Sequence, residues 1–307
     1  MSASALPPDM LPAGIAQAPA LPDILSAPRA RGRIATAIRR HPAIVAGGVL
    51  IGVMVFIAIF APWLGTTDPT AIHPIQRLRD PSLVHLFGTD MLGRDIYSRT
   101  MYGARVSLVV GSLVAVASSV LGLAIGLLSG FMRWLDAILM RIMDGLMAIP
   151  GILLAIALMA LNGGSVENVI IAITIPNVPQ VARLVRGIVL SLREQPYVEA
   201  AVAAGTRVPK IMVKHILPNT LAPLMVQATY ICASAMIAES ILSFIGAGTP
   251  PTVPSWGNIM AEGRALWEIK PYIVFFPAFF LSVTVLAVNL LGDGLRDALD
   301  PRLAKRL

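Results

Sequence analysis

REQPYVEAAVAAGTRVPKIMVKHILP, residues 193–218, decides the fold. It is a polar, amphipathic island of 26 residues between long apolar segments, so it leaves the bilayer and faces an aqueous compartment. Small residues (Ala200, Ala201, Ala203, Ala204, Gly205) cluster early in it, and Gly205 lets the chain turn, so a second short helix over roughly 206–215 is expected to run off at an angle. A helix-turn-helix of this kind suits docking on another protein. An amphipathic helix lying on the membrane surface, with Arg207, Lys210 and Lys214 toward the headgroups, fits the same residues.

Around the island the chain is built for lipid. Of 307 residues, 56% are hydrophobic and 13% charged, with a mean hydropathy of +0.76, whereas soluble domains carry about 25% charged residues. The net charge of +7 raises nucleic acid as a partner, but the basic residues are scattered at the ends of apolar segments. Topology accounts for that charge, and no nucleic acid is expected. The one cysteine, Cys232, lies in an apolar run, which excludes an intrachain disulfide and a Cys-rich metal site.

Working back from the island, a fourth span starts near residue 166 and is expected to kink at Pro176 and Pro179 before leaving the membrane as helix. A third covers about 140–161, interrupted by Pro150 and Gly151, and a second covers 106–131. The second carries Gly122, Gly126 and Gly130 on one face, where another helix can approach closely, within the chain's own bundle or at a dimer seam. The first span covers 43–61, extended to Trp63 and Leu64. Residues 65–102 are polar and turn-rich. Residues 1–28 hold six prolines and seven alanines without apolar period and read as a disordered tail; the first apolar run is too long for the core of a cleaved signal peptide.

Beyond the island, a fifth span covers 220–244 with Glu239 its only charge, and a sixth covers 271–291. Between them, 245–270 reads as a loop whose Trp256 and Trp267 suit a membrane interface. The fold class is therefore all-α, a polytopic membrane protein of six spans. Its organisation is a tail (1–33), a first span with an outer loop (34–102), a five-span core containing the island (103–293) and a C-terminal tail (294–307). Of 24 Lys and Arg, 17 fall on the side that holds both termini and the island, which places that side in the cytoplasm.

The charged constellations have modest readings. Intramembrane Glu239 lies about 30 Å along its helix from Asn219 and either lines an outer gate, snorkels to the interface or is locally paired. Asp144 is expected to pair with Arg183 or Arg186. Asp90, Arg94, Asp95 and Arg99 alternate in sign and are expected to form salt bridges that hold the outer loop, or to meet a docking protein. No nucleophile accompanies them, the four histidines show no metal-ligand spacing, and no HExxH or GxSxG occurs. No cofactor, metal or catalytic residue is expected.

The order EAA, three residues, Gly, then LP resembles the EAA loop of binding-protein-dependent ABC importer permeases. FGTDMLGRDIYSR (87–99), LSFIGAGTPPTVPSWGNIMAEGR (242–264) and NLLGDGLRDALDPRL (289–303) are similar to the peptide/nickel branch, specifically its second permease, of dipeptide, oligopeptide and glutathione type. The likeness covers about 34–303. His215 stands where the wider EAA pattern has Ile, and the resulting HILP resembles the form common in the peptide branch.

The resemblance implies a type I ABC importer permease core and a transport subunit, not an enzyme. Glu199, Ala200, Ala201 and Gly205 would form the motif of a coupling helix seated in a groove of an ATPase subunit, with Thr206 and Arg207 as further contacts. No G-x-x-x-x-G-K-[ST] loop occurs, so ATP would be hydrolysed by a partner. The implied assembly is a homologous permease, two cytoplasmic ATPases and an extracytoplasmic solute-binding protein in the bacterial inner membrane, with membrane lipid around it and a peptide-like solute crossing by alternating access. Nickel or another non-peptide solute is the alternative within the family. A passive channel needs no coupling loop, and an intramembrane protease needs a buried base that these histidine-free spans lack.

Overall fold

The structure, a computed structural model, describes residues 42–299; the tail 1–33, the basic residues ahead of the first span and residues 300–307 lie outside the described residues. Helix α1 (Pro42–Phe60) is apolar on every side, as a lipid-facing span must be, since lipid offers its backbone no hydrogen-bond partner. Helix α2 (Ile96–Phe131) begins ten residues before the expected run. The Asp95 carboxylate caps it, accepting the Ser98 N–H at 2.7 Å, and so lets the polar turns ahead of residue 106 join the helix.

The third span departs from its expected form. Helix α3 (Arg133–Met147) already begins at Arg133, and α4 (Gly151–Asn162) leaves it at 88°. Pro150 ends α3, because its ring crowds the preceding turn and it has no N–H to donate. Helix α5 (Val166–Arg193), capped by Ser165, instead runs through Pro176 and Pro179. Beside the interrupted ladder, the Asn177 side-chain amide donates to the Ile173 carbonyl at 2.7 Å.

Past the island, built from α6 (Pro196–Ala203) and α7 (Val208–Ile211), come α8 (Leu217–Phe244), α9 (Trp256–Gly263) and α10 (Tyr272–Leu299). Helix α10 carries on past Asp293 into the expected tail. Among the described residues, five helical stretches are long and apolar enough to cross a membrane, and the bent α3–α4 pair makes a sixth if taken as one span.

The glycine stripe of α2 serves the chain's own bundle. Gly122, Gly126 and Gly130 face Val181, Val185 and Val189 of α5, and a Cβ added at Gly126 would stand 2.6 Å from the Val185 Cβ. This α2–α5 seam continues into the largest buried apolar cluster, which also holds Ile231 and Leu242 of α8.

Residues 245–270 contain a helix that the sequence did not announce. Helix α9 packs against α2, α8 and α10, and Trp256 at its start is wholly buried, its indole N–H donating to the Thr100 carbonyl at 3.0 Å. Trp256 is therefore a core residue and not an interfacial one, because the indole finds both apolar cover and an acceptor inside the protein. Trp267 stays exposed.

Candidate functional site

The island forms two arms joined at a glycine. Pro196 opens α6, where its missing N–H costs nothing and its fixed φ favours the helix. At the other end Gly205 takes φ +74°, its N–H donates to Val202 O at 2.9 Å, and the Thr206 N–H reaches back to Ala201 O at 3.0 Å. This is a Schellman closure, which needs a left-handed residue at the position Gly205 fills. Nothing stands within 4 Å of a Cβ built there, so glycine is required by backbone conformation and not by space.

The second arm differs from the expected free helix over 206–215. Helix α7 passes through a π-helical turn, Met212–Ile216, straight into α8, so 208–244 is one continuous helical stretch. Pro218, which has no N–H to offer, follows at once, and the wide turn accommodates it: the Leu217 N–H bonds to Met212 O. The second arm of the island and the fifth span are one continuous helical element.

Exposure divides the island into a free face and a tied face. Glu199, Ala200, Ala203, Ala204, Gly205 and Arg207 are exposed, and Ala201 and Thr206 are partly covered. Glu199 and Arg207 have no ion-pair partner among the described residues. Beneath them Val198, Ile211 and Ile216 are buried in the cluster that holds the α2–α5 seam. Tyr197 meets His215 with ring centroids 6.1 Å apart, and Arg193 donates to the Gly130 carbonyl at 2.6 Å, fixing the end of α5 to the end of α2. The free face is thus braced against both α5 and α8.

Other sequence candidates fall in two places. Asp144 pairs with Arg183 at 2.5 Å, as expected, while Arg186 grips Asp136 through two contacts of 2.5 and 2.7 Å. At the opposite end of the spans, Arg94 and Arg99 both reach Asp90, at 2.7 and 2.6 Å, and both reach Glu262 of α9. Asp95 stays outside this network, capping α2 and meeting His85 at 3.1 Å. The sequence reading missed Glu262. It lies 163 residues from Arg99, and its only local signal was its place in 242–264.

Glu239 is fully buried within the chain and locally partnered. It accepts from Ser243 at 2.8 Å, and Ser243 in turn lies 3.1 Å from Thr249, which with Ser255 and Asn258 closes a polar cluster under α9. The carboxylate ties the end of α8 to the following loop.

Residues 118–305 match the family described as binding-protein-dependent transport system inner membrane component, and residues 32–81 match the N-terminal transmembrane domain of oligopeptide transport permease C. The chain belongs to this permease family. It is 51% identical over 268 residues to a probable peptide ABC transporter permease from Sinorhizobium fredii, covering 87% of this chain and 92% of that one. A dipeptide transport system permease from Alkalihalophilus pseudofirmus is 43% identical (87% and 88% covered), and a glutathione transport system permease from Salmonella typhimurium 44% (86% and 88%). Among solved structures, a chain of the methionine ABC transporter in an inward-facing form shares the fold, with a TM-score of 0.55 at 19% identity over 67% of this chain and 98% of that one. The protein is a multi-pass ABC transporter permease subunit, a transport component and not an enzyme, and membership implies ATPase and binding-protein partners.

Proposed function

We propose that this permease moves short peptides, such as dipeptides, oligopeptides or glutathione-like solutes, into bacteria across the inner membrane. It pairs with a homologous permease and two ATPase subunits, and takes solute from an extracytoplasmic binding protein. Both termini and the island lie in the cytoplasm, in keeping with the distribution of basic residues. The peptide class rests on what its relatives are named for.

One observation carries the mechanism: the EAA face is exposed and unpaired while its underside is buried against α5 and α8. ATP-driven closure of the ATPase pair presses on Glu199, Ala200, Ala201, Gly205, Thr206 and Arg207. The Schellman closure and the π turn pass that motion to the two spans, which tilt and alternate the access of the solute path. At the far end Glu239 serves as part of the outer gate by holding the loop above it through Ser243 and Thr249.

Uptake of a labelled tripeptide by the whole complex in proteoliposomes tests the reading. It should require ATP, and Gly205→Val should lower it at least tenfold, since a β-branched residue at that φ costs about 1–2 kcal/mol and reshapes the docking face. Membrane insertion should be unaffected. Uptake unchanged by the substitution overturns the coupling role.

A further inference from the structure

Two of the long spans carry uncharged polar groups where lipid would not tolerate them. Helices α5 and α8 are the least apolar of the five. A cavity of ≈180 Å³ opens between them and α4, and Asn177, Gln180 and Ser234 line it. Toward the island end a second cavity, of ≈750 Å³, is lined by Asn219, Gln227 and Arg296, together with Leu184 of α5.

Helical periodicity puts these side chains in register. On α5, Ile173, Asn177, Gln180 and Leu184 follow one another at spacings of three and four, so they share a face; on α8, Asn219, Pro223, Gln227 and Ser234 do the same at spacings of four and seven. Gln180 stands near the middle of α5, about 20 Å from either end and one turn before the half-exposed Arg183. Its side chain is exposed on the chain's surface. An amide facing hydrocarbon finds no hydrogen-bond partner. Water, a solute or a polar group of the paired permease must therefore face it, and the adjoining cavity favours the first two.

We propose that this amide and hydroxyl track, from Asn177, Gln180 and Ser234 through Gln227 to Asn219 and Arg296, is this subunit's wall of the solute path. The chemistry suits a solute rich in amide groups: the outer cavity offers donors and acceptors without a fixed charge, so it hydrogen-bonds a peptide backbone while leaving side chains unselected. Only this assignment of the solute class rests on the peptide reading above. The track also lies between the two spans that the island is tied to, so the same motion that bends α5 against α8 changes its width.

Cysteine accessibility tests the track. In a Cys232→Ser background, Gln180→Cys and Ser234→Cys are placed in the assembled complex in nanodiscs, where a charged thiol reagent reaches both faces. Val53→Cys, at a lipid-facing position midway along α1, is the reference. The adduct is read on this chain by mass spectrometry. Both track cysteines should react at least tenfold faster than the reference. Rates equal to the Val53→Cys rate overturn the proposal. Labelling requires neither ATP nor the correct solute, so fast labelling in a complex that takes up no peptide upholds the track and removes the peptide reading instead.

Discussion

The two ends of the spans are held in opposite ways. At the loop end, Asp90, Arg94, Arg99 and Glu262 form an ion network in which Asp90 and Arg99 are each 1% exposed, and Trp256 and the Glu239 cluster are buried beside it. At the island end, Glu199 and Arg207 have no ion-pair partner among the described residues, and the Arg183–Asp144 pair is half in solvent. Charge at the loop end is spent inside the chain to fix α9 and the outer loop to α2. At the island end Arg186 and Arg193 also tie helices together, but the EAA face keeps its charge exposed. A subunit that is moved by an engine on one side needs a loose, addressable surface there and a stiff frame to move.

That contrast breaks most visibly at Arg99. Arg99→Ala leaves Asp90 and Glu262 with a buried partner missing, and removal of one member of a buried pair typically costs about 3–5 kcal/mol. The variant should show a large drop in melting temperature in detergent and a lower inserted yield. Glu262→Gln should recover part of it in the double variant, since it removes the excess negative charge and leaves Arg94 paired with Asp90. A melting temperature within a degree of wild type would mean that the network is not the frame.

The seam between the two ends gives the next effect. Gly126→Leu drives a side chain into Val185 and the Ala182 carbonyl, and overpacking of this kind costs about 1–3 kcal/mol. Helices α2 and α5 should separate, lowering stability and uptake together. Gly205→Val lowers uptake at a cost of about 1–2 kcal/mol from backbone strain alone, since open space surrounds Gly205 and no neighbour is displaced. The two glycine variants therefore distinguish a residue needed for close approach from one needed for its backbone angle.

Much of this was legible in the sequence, for identifiable reasons. The long apolar runs announced their helices, because lipid permits only internally bonded backbone. The four-residue glycine spacing announced a close contact, and Gly205 announced a turn. Helix α9 was not legible: eight residues without a long apolar run, bounded by Pro254 and by a 3₁₀ turn, read as loop, and only tertiary partners such as Thr100 and Arg99 make it a buried helix. The π turn was hidden for a related reason, since a helical register carried through a proline at 218 depends on what lies beneath it, here Ile211 and Ile216. The polar track was in view as Asn177, Gln180, Gln227 and Ser234, but the span readings weighed charge and proline and passed over uncharged amides.

The smallest effect is the sharpest check on the contrast. Asp144 and Arg183 meet at 2.5 Å, as close as any contact in the loop-end network, yet their side chains are 51% and 47% exposed. Distance alone would rank this pair with Arg99 and Glu262. Solvation ranks it far below, because water screens the attraction and either side chain can be resolvated when the other is lost, so exposed pairs contribute less than about 1 kcal/mol. Asp144→Asn should then move the melting temperature by no more than a degree or two, and raised salt should do little further. If it destabilises as Arg99→Ala does, the pair is buried in the assembled transporter, and the island end is covered by a partner along α3 and α5 as well as on the EAA face. Should the shift stay small, the Asp144–Arg183 pair stays in water in the assembled transporter, and the proposed contact with the ATPase is left to the face that carries Glu199 and Arg207.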